Sequence, residues 1–269
     1  MKKIFVWIIL IVFLALGMGG SYALSSAFRT EAVEAWKSEA SQAARWLSGT
    51  VLNWLEESYA PVSGLAILFE NPEKVTEDEF LGAAEALETR ATAYFIDGIA
   101  VVRQRKGSKE WFAAFSDEGN SSFSLANQVN NSPVILEGIK VAMDHPGRIM
   151  LGSPLSDEDG SIYSPIVLAL DDVDVPVVIV GLVNYDAITQ GLFDIHKPEG
   201  LQLQIQGSFQ EQGGPGPQRP VIGKPVPNAP YSVTTRTISA GADLSITWYA
   251  TAQFSDGPQE NLADFTLMG

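Results

Sequence analysis

The pattern of apolar and polar positions begins with an uncharged, mainly apolar run at residues 4–24. A helix needs about 20 apolar residues to cross the hydrocarbon core of a membrane. Lys2 and Lys3 precede the run, and such paired basic residues stay on the cytoplasmic side. The run therefore predicts an uncleaved membrane anchor with residues 25–269 outside the cytoplasm. A cleaved signal peptide is the alternative, because Ser21-Tyr22-Ala23 also fits a small-residue cleavage site.

Residues 26–55 lack proline and are rich in helix-forming residues, so they predict a long stalk helix that continues the anchor. Apolar or small side chains recur in this segment at alternating spacings of three and four, the a/d pattern of a coiled coil. We expect these positions to form the seam of a homodimer: Val33, Trp36, Ala40, Ala43, Leu47, Thr50 and Trp54. The alternative is a helix that packs on its own domain, which the additional apolar residues Trp46, Val51 and Leu55 favour near its far end.

The next segment is also predicted to be helical. Pro61 is expected to break or kink the stalk helix. Thr76 and Glu79 have the spacing of a capping box, with Thr76 as the N-cap of a further helix. The first third of the exported chain, residues 25–92, is therefore predicted to be a helical stalk and subdomain.

From residue 93 onward the periodicity changes to that of strands. Two aromatic and β-branched segments, 94–104 and 111–115, predict a hairpin with a turn at residues 105–109. Ser132-Pro133 has the form of a helix N-terminus, and that helix is expected to run to about Asp144. Further strands are predicted at 149–151, 162–170, 175–183, 201–206, 232–239 and 244–251, with a turn at 171–174 and a short helix from Asp186 to Phe193.

Residues 207–230 contain so many prolines and glycines that we expect a surface loop there. The resulting order of elements predicts an α+β fold, in which PAS-like antiparallel sheet modules with flanking helices follow the stalk. The predicted organisation is an anchor at 1–24, a stalk and helical subdomain at 25–92, an α/β sensor region at 93–258 and a tail at 259–269.

The charge and cysteine content of the chain exclude several classes of ligand and site. The chain has 32 acidic and 17 basic residues, and without Lys2 and Lys3 the exported part has 15 basic residues and a net charge of −17. Such a surface repels nucleic acid and anionic lipid, so neither is expected as a ligand. The chain contains no cysteine, which excludes disulfides, a thiolate nucleophile and cysteine-based metal sites.

The motif search gives no catalytic constellation. His145 and His196 each lie next to or near a proline in a predicted helix-ending segment, where a capping or solvent role is usual. Asp157-Glu158-Asp159-Gly160 lacks the acid required four residues before Asp159 in a calcium loop, where Leu155 stands, and is interpreted as a charged hairpin turn. Nucleotide-binding loops and nucleophile elbows are absent from the sequence. We therefore expect a protein that is not an enzyme and needs no metal or cofactor.

The sequence also indicates a small-molecule pocket. Pockets are mostly apolar with a few polar groups that fix orientation. Aromatic side chains and one interior-capable cation are concentrated on or beside the predicted sheet, although core packing explains the same aromatic residues. We expect the pocket between the hairpin strands and the helix after Ser132, with these ligand-binding residues: Tyr94, Arg103, Trp111, Phe112, Tyr163 and Tyr185.

Three hydrophobic patterns of residues 30–205 resemble the CHASE-type sensor domains and the related Cache domains. The first is Val51-Leu52-Asn53-Trp54-Leu55, followed by a segment ending in Leu68-Phe69 and by the capped helix at Thr76. The second is Tyr163-Ser164-Pro165-Ile166-Val167, and the third is Val178-Ile179-Val180-Gly181-Leu182-Val183.

The resemblance implies an extracytoplasmic, PAS-like domain that binds small molecules and signals as a dimer to a cytoplasmic effector. In such receptors a second membrane helix and an effector follow, and residues 259–269 are expected to approach that helix in a longer protein. The leading hypothesis is thus the ligand-sensing ectodomain of a membrane receptor in the cytoplasmic membrane. The alternative is an anchored envelope interaction protein without a small-molecule ligand.

Overall fold

The structure is a computed structural model that describes residues 2–70, 75–90, 95–118, 124–170, 176–196 and 199–257. The turn predicted at residues 171–174 and the tail at residues 259–269 lie outside these ranges, as does Tyr94.

The first helix, α1, runs without interruption from Lys2–Glu57, a length of 56 residues. Within the described residues it is the helix that is long and apolar enough to cross a membrane. The large apolar side chains that the structure describes between Trp7 and Leu24 are exposed, with Phe13 74% accessible. Such a surface is compatible with lipid around it, and the stalk continues the apolar segment as the sequence predicts.

Two short helices and a capped third helix follow α1. Helix α2 spans Ala60–Ala66 with Pro61 in its first turn, and a single 3-10 turn spans Ile67–Glu70. Helix α3 spans Glu77–Arg90. The Thr76 backbone N–H donates to Glu79 Oε2 at 2.9 Å, and the Glu79 N–H donates to Thr76 Oγ1 at 3.3 Å. The predicted capping box is therefore confirmed.

The first sheet is antiparallel and has the strand order β2-β1-β6-β5-β3, with β4 paired to β5. Helices α4 and α5 lie between β2 and β3 in the chain. The elements are β1 (Ile96–Gln104), β2 (Trp111–Asp117), α4 (Leu125–Gln128), α5 (Pro133–Asp144), β3 (Ile149–Leu151), β4 (Leu155–Ser156), β5 (Ile162–Ala169) and β6 (Val177–Asn184).

Both faces of this sheet are covered, because its central strands alternate between two hydrophobic clusters. Val101, Ile166 and Ile179 point into a core shared with α1, α2 and the second sheet. Val102 and Val180 point into a separate cluster with α4 and α5. Central strands buried on both faces have near-continuous apolar sequences, which explains the runs that predicted β5 and β6.

The second sheet has the order β8-β7-β10-β9 and is also antiparallel. It follows α6 (Tyr185–His196) and consists of β7 (Leu201–Glu211), β8 (Gly214–Ile222), β9 (Tyr231–Ser239) and β10 (Ala242–Ala250).

The surface loop predicted at residues 207–230 is wrong for its first part, where β7 continues and β8 pairs with it. The turn between them is made by Gln212 and Gly213, and Gly213 and the following Gly214 both have positive φ. Pro215, Pro217 and Pro220 lie in β8, which is an edge strand of the sheet. Proline lacks an N–H but is tolerated at an edge, because no second neighbour needs that donor.

Helix α1 packs its inner face on the second sheet, which corrects the predicted dimer seam. Trp36, Ala40 and Leu47 are buried in the core of their own chain, where a second helix cannot reach them. Ala43 and Trp54 pack partly buried against the same core, and Val33 is half-buried. The structure thus supports the alternative interpretation, a helix that packs on its own domain. The apolar residues at a/d spacing form the face that makes this contact.

The two sheets also meet directly. The Leu151 N–H at the edge of the first sheet donates to the Ala240 carbonyl of the β9–β10 turn at 2.8 Å. Met150 lies against Gly241 in the same turn, where an added Cβ would come within 2.7 Å of the methionine methyl. Gly241 also has φ +79°, so both the backbone conformation and the close approach require glycine there.

Candidate functional site

A pocket lies beside the first sheet, between the α4–α5 segment and the β4–β5 turn. We call it the α4–β4 pocket. Its volume is about 550 Å³. Its lining is mostly polar, with hydroxyls, amides and carboxylates: Ser124, Asn127, Gln128, Asn131, Ser132, Pro133, Leu155, Ser156, Asp157, Glu158 and Asp159.

One wall is the short helix α4, which side chains hold at its N-terminus. The Glu118 carboxylate accepts the Leu125 N–H at 2.6 Å and the Ala126 N–H at 3.1 Å. Ser124 is the N-cap, and its hydroxyl accepts the Asn127 N–H at 3.4 Å. A four-residue helix cannot sustain itself, since a helix that short does not repay its nucleation. These caps therefore fix the wall.

Asn130 fastens the same wall to the edge of the sheet. Its Oδ1 accepts the Trp111 N–H at 3.1 Å, and its Nδ2 donates to the Trp111 carbonyl oxygen. Strand β2 is an edge strand, so these two backbone groups have no strand partner on that side. The asparagine side chain satisfies both groups and places its neighbours Gln128 and Asn131 at the pocket.

Helix α5 begins at the pocket. The Ser132 hydroxyl caps it by accepting the Ile135 N–H at 3.4 Å, and Pro133 occupies its first turn, as the sequence predicts. Gly138 lets the helix approach β5, because a Cβ there would lie 3.2 Å from a Val167 methyl carbon. The start of α5 is therefore set rigidly against the sheet.

The opposite wall is the turn between β4 and β5. Asp157 Oδ1 accepts the Ser161 N–H at 2.8 Å, and Asp157 Oδ2 accepts the Tyr163 hydroxyl at 3.4 Å. Gly160 has φ +85° and closes the turn by donating to the Asp157 carbonyl at 3.2 Å. The hairpin turn predicted for this acidic segment is present, and in addition it lines a pocket.

The charge of the pocket has one sign. Its charged lining residues are Asp157, Glu158 and Asp159, and no Lys, Arg or His is among the described residues that line it. A concave surface lined by one sign of charge concentrates ions of the opposite sign. The structure brings together no group of three or more His, Asp or Glu suited to a metal within the described parts of the chain. The three carboxylates thus make the pocket attractive to a positively charged group.

The structure separates the residues predicted to bind a ligand. Trp111 and Tyr163 belong to the cluster under α4 and α5, on the same face as the pocket. Arg103 lies on the other face, with its guanidinium 5.9 Å from the centre of the Phe115 ring. Phe112 is 38% exposed at the edge strand. These four residues do not form one site.

Tyr185 is a core residue rather than a pocket residue. It is fully buried at the start of α6, and burial raises its pKa to about 12. Burial likewise raises the pKa of Tyr59, whose hydroxyl is 2.8 Å from the Ser239 hydroxyl.

Sequence reasoning missed the amide and hydroxyl side chains of the pocket. Their signal was weak, because Asn127, Gln128 and Asn131 lie in a polar segment that resembles a loop. The Ser132-Pro133 helix start and the acidic turn were both recognised. That they face each other depends on strand β4, which the sequence did not predict.

No protein-family model matches the sequence, and no curated protein does. Solved structures do match. The ligand-binding domain of the Pseudomonas aeruginosa amino acid chemoreceptor PctC, in complex with GABA, is 11% identical with a TM-score of 0.50, covering 79% of this chain and 98% of that one. The sensory domain of the Campylobacter jejuni chemoreceptor Tlp3 is 12% identical with a TM-score of 0.49, covering 84% of this chain and 98% of that one.

The likeness to the PctC domain extends over nearly all of that domain and is a likeness of fold. It agrees with the predicted α+β fold, which has a long N-terminal helix and antiparallel sheets with flanking helices. The matched domains come from chemoreceptors, so the CHASE type in particular stays a prediction.

Proposed function

We propose that this chain is the extracytoplasmic ligand-sensing part of a membrane-anchored signalling receptor of the Cache and CHASE class. It binds a small molecule in the α4–β4 pocket and has no catalytic role. The observation that carries the proposal is the pocket itself, about 550 Å³ in volume and built by caps and clamps against a rigid sheet. A pocket of that size is in the range of small-molecule sites.

The lining supports a ligand with an ammonium or similar cationic group. Asp157, Glu158 and Asp159 supply negative charge, while the amides of Asn127 and Asn131 offer both donors and acceptors. Charge-assisted hydrogen bonds to carboxylates are among the stronger polar contacts in proteins. The structurally similar PctC domain was solved with GABA, a molecule that carries such an amine.

The proposed route to the membrane is α1. Its inner face packs on the second sheet, and the same helix continues into the apolar segment without a break. The topology follows, with residues 4–24 crossing the cytoplasmic membrane once within this sequence and the sheets on the periplasmic side.

We further propose that the receptor is a homodimer joined along the outer face of α1. Ala35, Ser38, Gln42 and Gly49 are exposed there, at successive spacings of three, four and seven residues. Anchored copies share one orientation in the membrane, so the same face of a second copy runs parallel to it, and these spacings have the heptad period of a parallel seam.

The composition of this outer face suits close contact between two helices. Ala35, Ser38 and Gly49 are small, and small side chains allow two helices to approach closely. Nothing lies within 4 Å of a Cβ added at Gly49, so its own chain leaves that position open. The Gln42 amide is uncharged and has both donors and an acceptor, so it can pair with the same amide of the second copy.

Thermal unfolding of the full chain in detergent tests ligand binding. A library of amines, amino acids, dicarboxylates and sugars is screened, with GABA and putrescine as named cationic probes. A ligand that binds the folded state stabilises it by about 2.7 kcal/mol at a hundredfold excess over Kd. We expect amines to raise the melting temperature and Asp157→Asn to reduce that shift.

Asp243→Asn is the matched control, because Asp243 is exposed on β10 and does not line the pocket. It should leave the shift intact. Stabilisation by neutral or anionic compounds alone would retain the sensor and refute the cationic ligand. A library without any stabilising compound would favour the anchored interaction protein instead.

A further inference from the structure

Helix α5 connects one wall of the α4–β4 pocket to the second sheet. It starts at the pocket with Ser132 and Pro133. One turn further along, the carboxylate of Glu137 accepts the backbone N–H of Gln212 at 2.7 Å. Gln212 lies in the turn between β7 and β8. A side chain of α5, which packs on the first sheet, therefore binds the backbone of the second sheet.

The opposite wall reaches the same hairpin by a second contact. Arg219 on β8 donates from Nη1 to the Ser153 hydroxyl at 3.1 Å. Ser153 precedes β4 by two residues, and β4 leads directly into the acidic turn of the pocket. The guanidinium also pairs with Glu211 on β7, which braces it within the hairpin.

A second, smaller pocket of about 290 Å³ lies between these two contacts. Glu137, Ser153 and Arg219 all line it, and Pro133 lines both pockets. The hairpin therefore spans a gap between α5, which begins at one wall of the α4–β4 pocket, and the segment at Ser153, which leads through β4 into the other wall. A packed element that bridges two walls responds to their separation, because packed interfaces move as units rather than deform continuously.

We propose that the β7–β8 hairpin is a coupling element, and that Glu137 and Arg219 are positioning residues through which a change in the width of the α4–β4 pocket reaches the second sheet. The second sheet contacts α1, since the Trp248 indole N–H donates to the Ser48 hydroxyl at 3.1 Å. The hairpin thus lies on a continuous path of contacts from the pocket to the stalk. The inference takes its signalling meaning from the proposed function.

The test sets the width of the pocket without any ligand. The chain has no cysteine of its own, so Asn131→Cys and Glu158→Cys place one thiol on each wall. A short bis-maleimide bridges them, and the same double variant blocked with N-ethylmaleimide is the reference. Hydrogen–deuterium exchange of residues 208–222 is measured on the full chain in detergent. Ser156→Trp, which fills the pocket from β4, gives a second perturbation that needs no cross-link.

We expect bridging to change the exchange rate of the hairpin amides, that of Gln212 above all, by about threefold or more. Adding Glu137→Ala and Arg219→Ala should abolish the change, whereas Asp144→Ala, on the exposed end of α5, should preserve it. An unchanged hairpin in both the bridged chain and Ser156→Trp refutes the proposal. A change that survives without Glu137 and Arg219 refutes it too. Neither result depends on finding a ligand, so the ligand screen and this test fail separately.

Discussion

The indole Nε1 of Trp36 donates a buried hydrogen bond of 2.7 Å to the carbonyl oxygen of Phe254, 218 residues later in the chain. Their rings also meet edge to face, with centroids 6.2 Å apart. The Tyr231 ring lies beside the same indole, with the two ring centroids 6.4 Å apart. The stalk helix is thereby fixed to the end of the second sheet, near the last residues that the structure describes.

Replacing Trp36 with phenylalanine should destabilise the fold. The ring is largely retained, but the buried carbonyl of Phe254 loses its donor, which costs about 1–3 kcal/mol. Urea unfolding of the detergent-solubilised chain, followed by circular dichroism, measures the loss. Trp7→Phe is the control, because Trp7 is 65% exposed on the apolar part of α1 and should change stability by less than about 0.5 kcal/mol. Equal effects of the two variants would show that the hydrogen bond to Phe254 does not stabilise the fold.

The outer face of α1, not its inner face, should meet a second copy. In membranes, Gln42→Cys should form a disulfide-linked dimer under mild oxidation, since a disulfide needs Cα atoms roughly 4.4–6.8 Å apart. Ala40→Cys should not, because Ala40 is buried in its own core. Non-reducing gels distinguish the two. Cross-linking of Ala40→Cys in preference to Gln42→Cys would instead support the dimer interface predicted from the a/d spacing.

A charge on that outer face should act on assembly alone. Gly49→Glu places a carboxylate where two copies would meet but where its own chain leaves open space. Sedimentation in detergent should show loss of dimer, while the melting temperature stays near that of the unmodified chain. A dimer unaffected by Gly49→Glu would exclude this face.

Alkaline pH should destabilise the fold through its buried tyrosines. Tyr185, with its pKa raised to about 12 by burial, keeps its proton in the folded state after the unfolded chain has lost it near pH 10. Stability contributed by this group is therefore complete below pH 10 and falls as pH rises towards 12, by about 2 kcal/mol. Tyr185→Phe should flatten the decline in urea midpoints between pH 9 and 11.5. Identical slopes for the unmodified chain and Tyr185→Phe would show that ionisation of Tyr185 is not linked to unfolding.

The membrane segment should remain in the mature protein. The apolar run passes without interruption into the stalk helix, and the large apolar side chains described between Trp7 and Leu24 are exposed. N-terminal sequencing of membrane-extracted protein is expected to show that residues 4–24 are retained. A mature chain that starts near Leu24 would identify a signal peptide.

Local sequence signals predicted the elements whose determinants are adjacent in the chain. The Thr76–Glu79 capping box and the Ser132-Pro133 helix start both involve residues three or fewer positions apart, and both helices begin there. Strand β8 was missed because its prolines usually oppose a sheet. Only its position at an edge, fixed by long-range pairing, makes them acceptable.

The candidate site was harder to predict for the same reason. Aromatic density pointed to Arg103 and Trp111, but their strands place them on opposite faces of one sheet. The pocket instead joins Asn131 to Asp157 through strand pairing and through the clamp that Asn130 makes on Trp111. None of these relationships has a local signature. The a/d spacing of α1 similarly identified an apolar stripe but not which surface covers it.

Because α1 is unbroken, the number of residues between the membrane and the sheets sets the angle of the sheets about the helix axis. Each residue rotates an α-helix by about 100° and advances it by about 1.5 Å, so the 56 residues of α1 span about 84 Å with a defined azimuth from one end to the other. Inserting a single residue between Leu24 and Trp36 would turn the sheets by more than a quarter revolution about the membrane helix. Inserting seven would leave them within about 20° of their original azimuth. A chimera that grafts this domain onto another anchor must therefore preserve the rotation angle between sheets and membrane helix, which matters more than the exact length of the helix.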